Sequence, residues 1–191
     1  MTDAANSSMR IFFALWPGPQ LRAKIVATGE QLPALNLLRA HASGPDAPSR
    51  QRSWRPVPEH NLHLTLLFLG NQSKQSVHEL CQRVEAVRAC RFELLLDRFG
   101  WFARPKVVWL GADAPSAGIE LVQALSRISS DSGMRYQKSA WRPHMSLYRH
   151  VRRPPELPQI SALHWAPHEF VLLQSMSTQP YRILRRWALT G

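Results

Sequence analysis

The sequence predicts an α+β fold built from two pseudo-symmetric lobes, on three observations. Apolar, strand-like runs alternate with stretches of helical period along most of the chain. The order strand, helix, strand occurs twice, and each second strand carries a histidine with a hydroxyl two residues on: His63 with Thr65, and His144 with Ser146. The chain then ends on two further strand-like runs.

Residues 1–9 are small and polar, a flexible end ahead of a single bilobal domain over 10–191. "RIFFALWP" is a buried strand stopped by Pro17, and Leu21, Ile25, Thr28 and Leu32 follow at helical spacing. The stretch 40–53, "AHASGPDAPSRQR" at its heart, has no period and reads as a surface loop or disordered insertion. "NLHLTLLFLG" is a strand ended by Gly70. Ser73 then caps a helix whose apolar stripe is Val77, Leu80, Cys81, Val84 and Val87. In the second half, "RFELLLDRFGWF" and "KVVWLGAD" form two antiparallel strands. A helix with Leu121, Leu125 and Ile128 on one face runs to Gly133 as its C-cap, and "PHMSLYR", "EFVLLQS" and "YRILRRWAL" supply the remaining strands. His63 lies 52 residues after Ile11 and His144 lies 37 after Val107. The difference is close to the length of the Pro/Ser-rich stretch, as a duplicated lobe with one inserted loop would produce.

The 191 residues carry 24 Lys+Arg against 13 Asp+Glu, a formal charge of +11, and the only lysines are Lys24, Lys74, Lys106 and Lys138. Guanidinium groups bind phosphate bidentately and stack on bases, so a polyanionic partner is favoured over a neutral one; an arginine-rich genome would leave the same composition. Cys81 and Cys90 are too few to staple a domain and have no CxxC spacing, which points to a reducing, cytoplasmic setting. The run "IFFALW" is too short for a signal-peptide core or a membrane span, so no membrane partner is expected.

Side chains alternate across a strand, so His63 shares a face with Thr65 while Leu64, Leu66 and Phe68 face the other way. By the same alternation His144, Ser146 and Tyr148 share a face, with Met145 and Leu147 opposite. Two such faces across a cleft would place two imidazoles around one phosphorus, one taking a proton from water and the other protonating the departing oxygen. The hydroxyls of Thr65 and Ser146 would hold the non-bridging oxygens. A metal centre is disfavoured, because no carboxylate or cysteine near either motif completes a ligand set. The other six histidines read as ordinary structural or surface residues.

The ordered set "RIFFALWP", "EHNLHLTLLFLG", "VVWLG", "RPHMSLYR", "FVLLQS" and "YRILRRWAL" resembles the 2H phosphoesterase superfamily, and within it the RNA 2′,3′-cyclic phosphodiesterases, also described as 2′-5′ RNA ligases. The resemblance covers nearly the whole chain from Arg10. It implies two antiparallel β-sheets lining a central cleft with helices on the outside. It also implies opening of 2′,3′-cyclic phosphate RNA ends, tRNA fragments among them, to a 2′-phosphate, by a monomer with no cofactor or metal. It assigns His63 and His144 to catalysis, with Thr65, Ser146 and Arg149 on the phosphate. Simple alternation turns Arg149 away from His144, so that role requires the strand to end or bulge near Tyr148. Trp141 and Tyr148, with Arg142, are candidates for stacking on RNA bases. The second motif carries Ser where many relatives carry Thr, which keeps the hydroxyl. Alternatives stay open: another cyclic nucleotide, an ADP-ribose cyclic phosphate, a 2′-5′ linkage or its ligation, or a non-catalytic RNA- or nucleotide-binding module.

Overall fold

A computed structural model describes residues 8–33, 54–136, 139–176 and 179–191. In chain order the elements are β1 (Ser8–Leu15), α1 (Pro19–Gly29), β2 (Arg55–Pro56), a 3-10 turn (Glu59–Asn61), β3 (Leu64–Ser73), α2 (Lys74–Val84), β4 (Leu94–Leu96), β5 (Arg98–Phe102), β6 (Val107–Gly111), α3 (Ser116–Asp131), β7 (His144–Arg149), β8 (Leu163–Trp165), β9 (Glu169–Ser175) and β10 (Arg182–Ala188). Local chemistry explains the helix ends. Pro19 opens α1 where a missing N–H leaves no hydrogen bond unmade. The Ser73 hydroxyl accepts from the Ser76 N–H at 3.1 Å, capping α2. Gly133, at φ 72°, turns the chain out of α3 and donates to the Ser130 carbonyl.

The main sheet runs β10-β9-β1-β3-β7-β6-β5, and every pairing in it is antiparallel. It consists of two half-sheets. In one, β1 and β3 pair as the repeated strand and histidine strand; in the other, β6 and β7 pair in the same way. The halves meet through the single pair Leu64 and Met145, and β2 continues along the same edge of β7 at Tyr148 and Arg149. Together they line a central cleft, with the helices outside: Gly29 of α1 lies against Leu147 and Tyr148. The core on that helix side includes Ile11, Phe13, Leu15, Leu64, Met145, Phe170 and Leu172. Phe12, Ala14, Val171 and Leu173 form a second, smaller cluster packed by Trp16, Tyr181 and Ile183. β1 is therefore buried on both faces, which is why "IFFAL" is apolar throughout instead of alternating.

Several boundaries differ from the sequence expectation. Ser8 and Met9 are not part of a loose end; they pair with Ser73 and Gln72. Gly70 does not stop its strand. At φ 70° it accommodates an irregularity in the pairing with β1, where Ile11 faces Gly70 and Phe12 faces Phe68, and the strand runs on to Ser73. The run 91–102 divides at Asp97, because β4 leaves the main sheet to pair with β8 while β5 pairs with β6. The insertion at 40–53 lies outside the described residues. Among the described residues no helix is long and apolar enough to cross a membrane.

Leu64 is fully buried at the junction of the halves. Leu64→Ala is expected to lower stability by about 2–5 kcal/mol in urea denaturation, against about 1 kcal/mol for Ser73→Ala, which removes only a cap.

Candidate active site

Both histidine strands begin in the same way. His63 Nδ1 donates to the Asn61 carbonyl and His144 Nδ1 donates to the Arg142 carbonyl, each at 2.7 Å. A carbonyl only accepts, so each Nδ1 carries its hydrogen and each neutral ring keeps a bare Nε2. Carried one residue to either side of Leu64 and Met145, the antiparallel register sets His63 opposite Ser146 and His144 opposite Thr65. The two His-x-Thr/Ser pairs thus meet at the junction.

Both strands then bulge at the same place. Ala14 pairs with Thr65 but Phe13 pairs with Leu67, so β3 carries an extra residue at Leu66. Trp109 pairs with Ser146 but Val108 pairs with Tyr148, so β7 carries an extra residue at Leu147. A bulge offsets the alternation by one. Leu66 and Leu67 both turn into the core, as do Leu147 and Tyr148, and the next residue in each strand returns to the histidine face. On β3 that residue is Phe68, 43% exposed, its ring stacked 6.4 Å from Phe12, which itself lies 4.9 Å from His63. On β7 it is Arg149, whose charge is felt by His63. The two halves therefore present matching series: His63, Thr65, Phe68 and His144, Ser146, Arg149.

Three expectations are corrected. Phe68 faces the cleft, because the extra residue at Leu66 inverts the parity beyond it. Tyr148 does not share a face with His144: it is 9% exposed, packed at Gly29 and beside Trp54, and unavailable for stacking on a base. Trp141 also packs inward. Its ring lies so close over Gly118 of α3 that a Cβ there would sit 2.6 Å away, and its Nε1 donates to the Thr65 carbonyl at 2.9 Å. It braces the strand that carries Thr65. Of Arg142, the group at the site is the backbone carbonyl that holds His144.

Aromatic rings wall each imidazole. Phe12, Tyr181 and Trp16 surround His63 at 4.9, 5.2 and 6.4 Å between centroids, and Phe102 and Trp109 flank His144 at 5.0 and 6.0 Å. Asn61 ties this wall together, because its side-chain oxygen accepts from the Tyr181 N–H at 3.1 Å while its carbonyl holds His63. The Arg22 guanidinium lies 4.8 Å over the Trp16 ring and that of Arg10 lies 4.9 Å over Phe68. Burial disfavours the imidazolium, and this pushes His63 down to about 4 despite the Asn61 carbonyl, with Arg149 and His144 adding to the depression. His144 is lowered by burial too, opposed by the Arg142 carbonyl. At neutral pH both rings are uncharged. Among the described residues no three histidine, cysteine, aspartate or glutamate side chains come together as a metal's ligand set.

Replacing Arg149 by Ala removes a positive charge that acts on His63, so the His63 pKa rises above about 4 while burial still holds it below its ordinary value; imidazole proton NMR across pH 3–8 reads this directly. An unmoved titration would place Arg149 off the histidine face. The depressed pKa also carries a stability consequence. The folded protein binds fewer protons at His63 than the unfolded chain, so stability present above pH 6.5 is lost as pH falls toward 4, by about 2–3 kcal/mol at pH 4.5. Urea midpoints at pH 7.5 and 4.5 should therefore diverge less in His63→Asn than in wild type.

A family profile described as LigT like Phosphoesterase matches residues 33–109. The RNA 2′,3′-cyclic phosphodiesterase of Escherichia coli (strain K12) is 33% identical over 191 residues, covering 97% of this chain and 99% of that protein. The Thermus thermophilus protein of the same name is 25% identical over 96% of this chain and 91% of its own length. Among solved structures, E. coli LigT complexed with 3′-AMP superposes with a TM-score of 0.78 at 30% identity, over 97% of this chain and 100% of that one. With a third of its residues shared along almost its entire length, the chain belongs to the LigT-like phosphoesterases of the 2H superfamily.

Proposed function

We propose that this protein hydrolyses the 2′,3′-cyclic phosphate ends of RNA to 2′-phosphates, without a metal, with His63 and His144 as paired general acid and general base. The observation that carries this reading is the matched pinning of the two rings: each Nδ1 is held by the carbonyl two residues earlier, which leaves two bare Nε2 atoms at one junction. Water attacks the phosphorus and gives its proton to one Nε2. The bond from phosphorus to the 3′ oxygen breaks, and the other imidazole, protonated, delivers a proton to that oxygen. The product is a 2′-phosphomonoester beside a free 3′-hydroxyl. Thr65, Ser146 and Arg149 hold the non-bridging oxygens as negative charge builds there. In the unliganded site both imidazoles are neutral, so the anionic phosphate itself supplies the opposite charge that lets one of them take up a proton.

The surroundings suit RNA. Phe68 is 43% exposed with the Arg10 guanidinium over its ring, an aromatic and cationic surface suited to a base, and the +11 charge favours a phosphate backbone. Both histidines come from one chain, so a monomer suffices. The E. coli and T. thermophilus relatives carry the name of this activity.

The test is incubation of a short RNA ending in a 2′,3′-cyclic phosphate with EDTA present, followed by phosphorus NMR. A 2′-phosphate signal is expected from wild type. His63→Ala and His144→Ala should each lower kcat/KM by about 10²–10⁴-fold, and wild type should give a bell-shaped pH–rate profile. Undiminished turnover in either variant, or tight binding of the RNA with no turnover in wild type, would replace the enzyme with a binding module.

A further inference from the structure

Trp109 stands on β6 opposite Ser146 and beside His144. Its neighbours on that face are Gly111, two residues along the same strand, and Gly100, its partner on β5. A Cβ on Gly100 would lie 2.0 Å from the indole Cζ2, and one on Gly111 would lie 2.4 Å from Cζ3. The six-membered ring thus fills the space of two absent side chains. The indole lies over β5 and β6 at those two glycines, with His144 at 6.0 Å between ring centroids and 61° between ring planes. Phe102 extends the surface at 5.2 Å and a tilt of 35°. Hydrogen bonding does not account for the placement, because the Trp109 Nε1 is buried without a partner.

The other half-sheet has no such platform. The residue that pairs with Thr65, as Trp109 pairs with Ser146, is Ala14. Around Ala14 that face is closed by Phe12, Val171 and Leu173 beneath Tyr181 and Ile183. Two glycines in adjacent strands and an unpartnered indole nitrogen weaken the sheet locally, and an aliphatic residue at 109 would satisfy packing with neither. The arrangement makes sense as an aromatic surface placed beside His144 for something bound there.

We propose that Trp109, with Phe102 at its edge, is a second base-stacking subsite, taking the nucleobase of the nucleotide adjoining the one that carries the reacting phosphate. The proposal rests on the RNA-end reaction given above. Phe68 and Trp109 belong to opposite half-sheets, on either side of the junction where the histidines meet, so one base cannot cover both. A strand of two nucleotides can, with its terminal base on Phe68 and the adjoining base on Trp109.

The experiment compares kcat/KM for a 2′,3′-cyclic mononucleotide and for a dinucleotide with the same cyclic end, in wild type and in Trp109→Ala. Stacking on an aromatic platform predicts a wild-type preference for the dinucleotide of about 10- to 100-fold. In Trp109→Ala the dinucleotide-to-mononucleotide ratio falls toward one, while Trp109→Phe keeps most of it. The ratio is internal to each preparation, so loss of folded protein cancels. Equal losses on both substrates, or a ratio that does not change, would overturn the subsite. Fluorescence anisotropy of a labelled trinucleotide ending in a 3′-phosphate reads the same surface without turnover. Its affinity should fall about tenfold or more in Trp109→Ala, and an unchanged affinity overturns the proposal. Absence of turnover on both substrates with that affinity loss intact would count against the proposed reaction and in favour of the subsite.

Discussion

Everything at the site depends on one backbone pairing, Leu64 with Met145, where two half-sheets become a single sheet. Each half alone would present one imidazole beside one hydroxyl, which is a common enough arrangement on a half-buried strand. Joined antiparallel at that point, they bring the pairs into reciprocal register, His63 toward Ser146 and His144 toward Thr65. The electrostatics agree with the geometry, since the charged form of His63 is disfavoured by both His144 and Arg149. Desolvation, the largest contribution, comes from packing the same junction and its aromatic walls. The sheet thus aligns the two groups and sets their protonation state.

The paired bulges are the second constraint. Each adds one residue just after the His-x-Thr/Ser pair, and each sends two consecutive side chains into the core. The same device has different results in the two halves: it delivers an aromatic ring, Phe68, on one side and a guanidinium, Arg149, on the other. Pseudo-symmetry governs the backbone, while the residues placed on it make the cleft asymmetric. Trp109 on its glycines, against Ala14 beneath its apolar cover, extends that asymmetry to the neighbouring strands.

Much of this was legible in the sequence, and the boundary of what was not has a physical origin. His63, Thr65, His144 and Ser146 lie within three residues of each other in each motif, where strict alternation holds, so their shared faces could be read directly. Beyond Thr65 and Ser146 the alternation is broken by an extra residue, and no local pattern in "LLF" or "LYR" announces it. Alternation accordingly puts Phe68 and Tyr148 on the wrong faces, and only the family resemblance brings Arg149 to the histidine face as a candidate. Trp141 departs from its expected stacking role for a different reason: what decides its direction is Gly118, a helix residue 23 positions earlier. The same holds for Trp109, whose ring occupies the space over Gly100 across a strand pair. Strand β4 was merged with β5 because the switch to a second, two-stranded sheet at Asp97 depends on β8, far along the chain.

Strand β1 is covered on one edge by β3 and on the other by β9, and β10 closes the far side of β9. The half-sheet of β5, β6 and β7 is complete within residues 98–149, whereas its counterpart joins the first strand of the chain to two of the last. During synthesis, then, the lobe that carries His144 can close while β1, apolar on both faces, still waits for partners that emerge more than 150 residues behind it. The interval leaves "RIFFAL" unpaired on the edge that β9 takes, and Tyr181, which walls His63, arrives only between those two late strands.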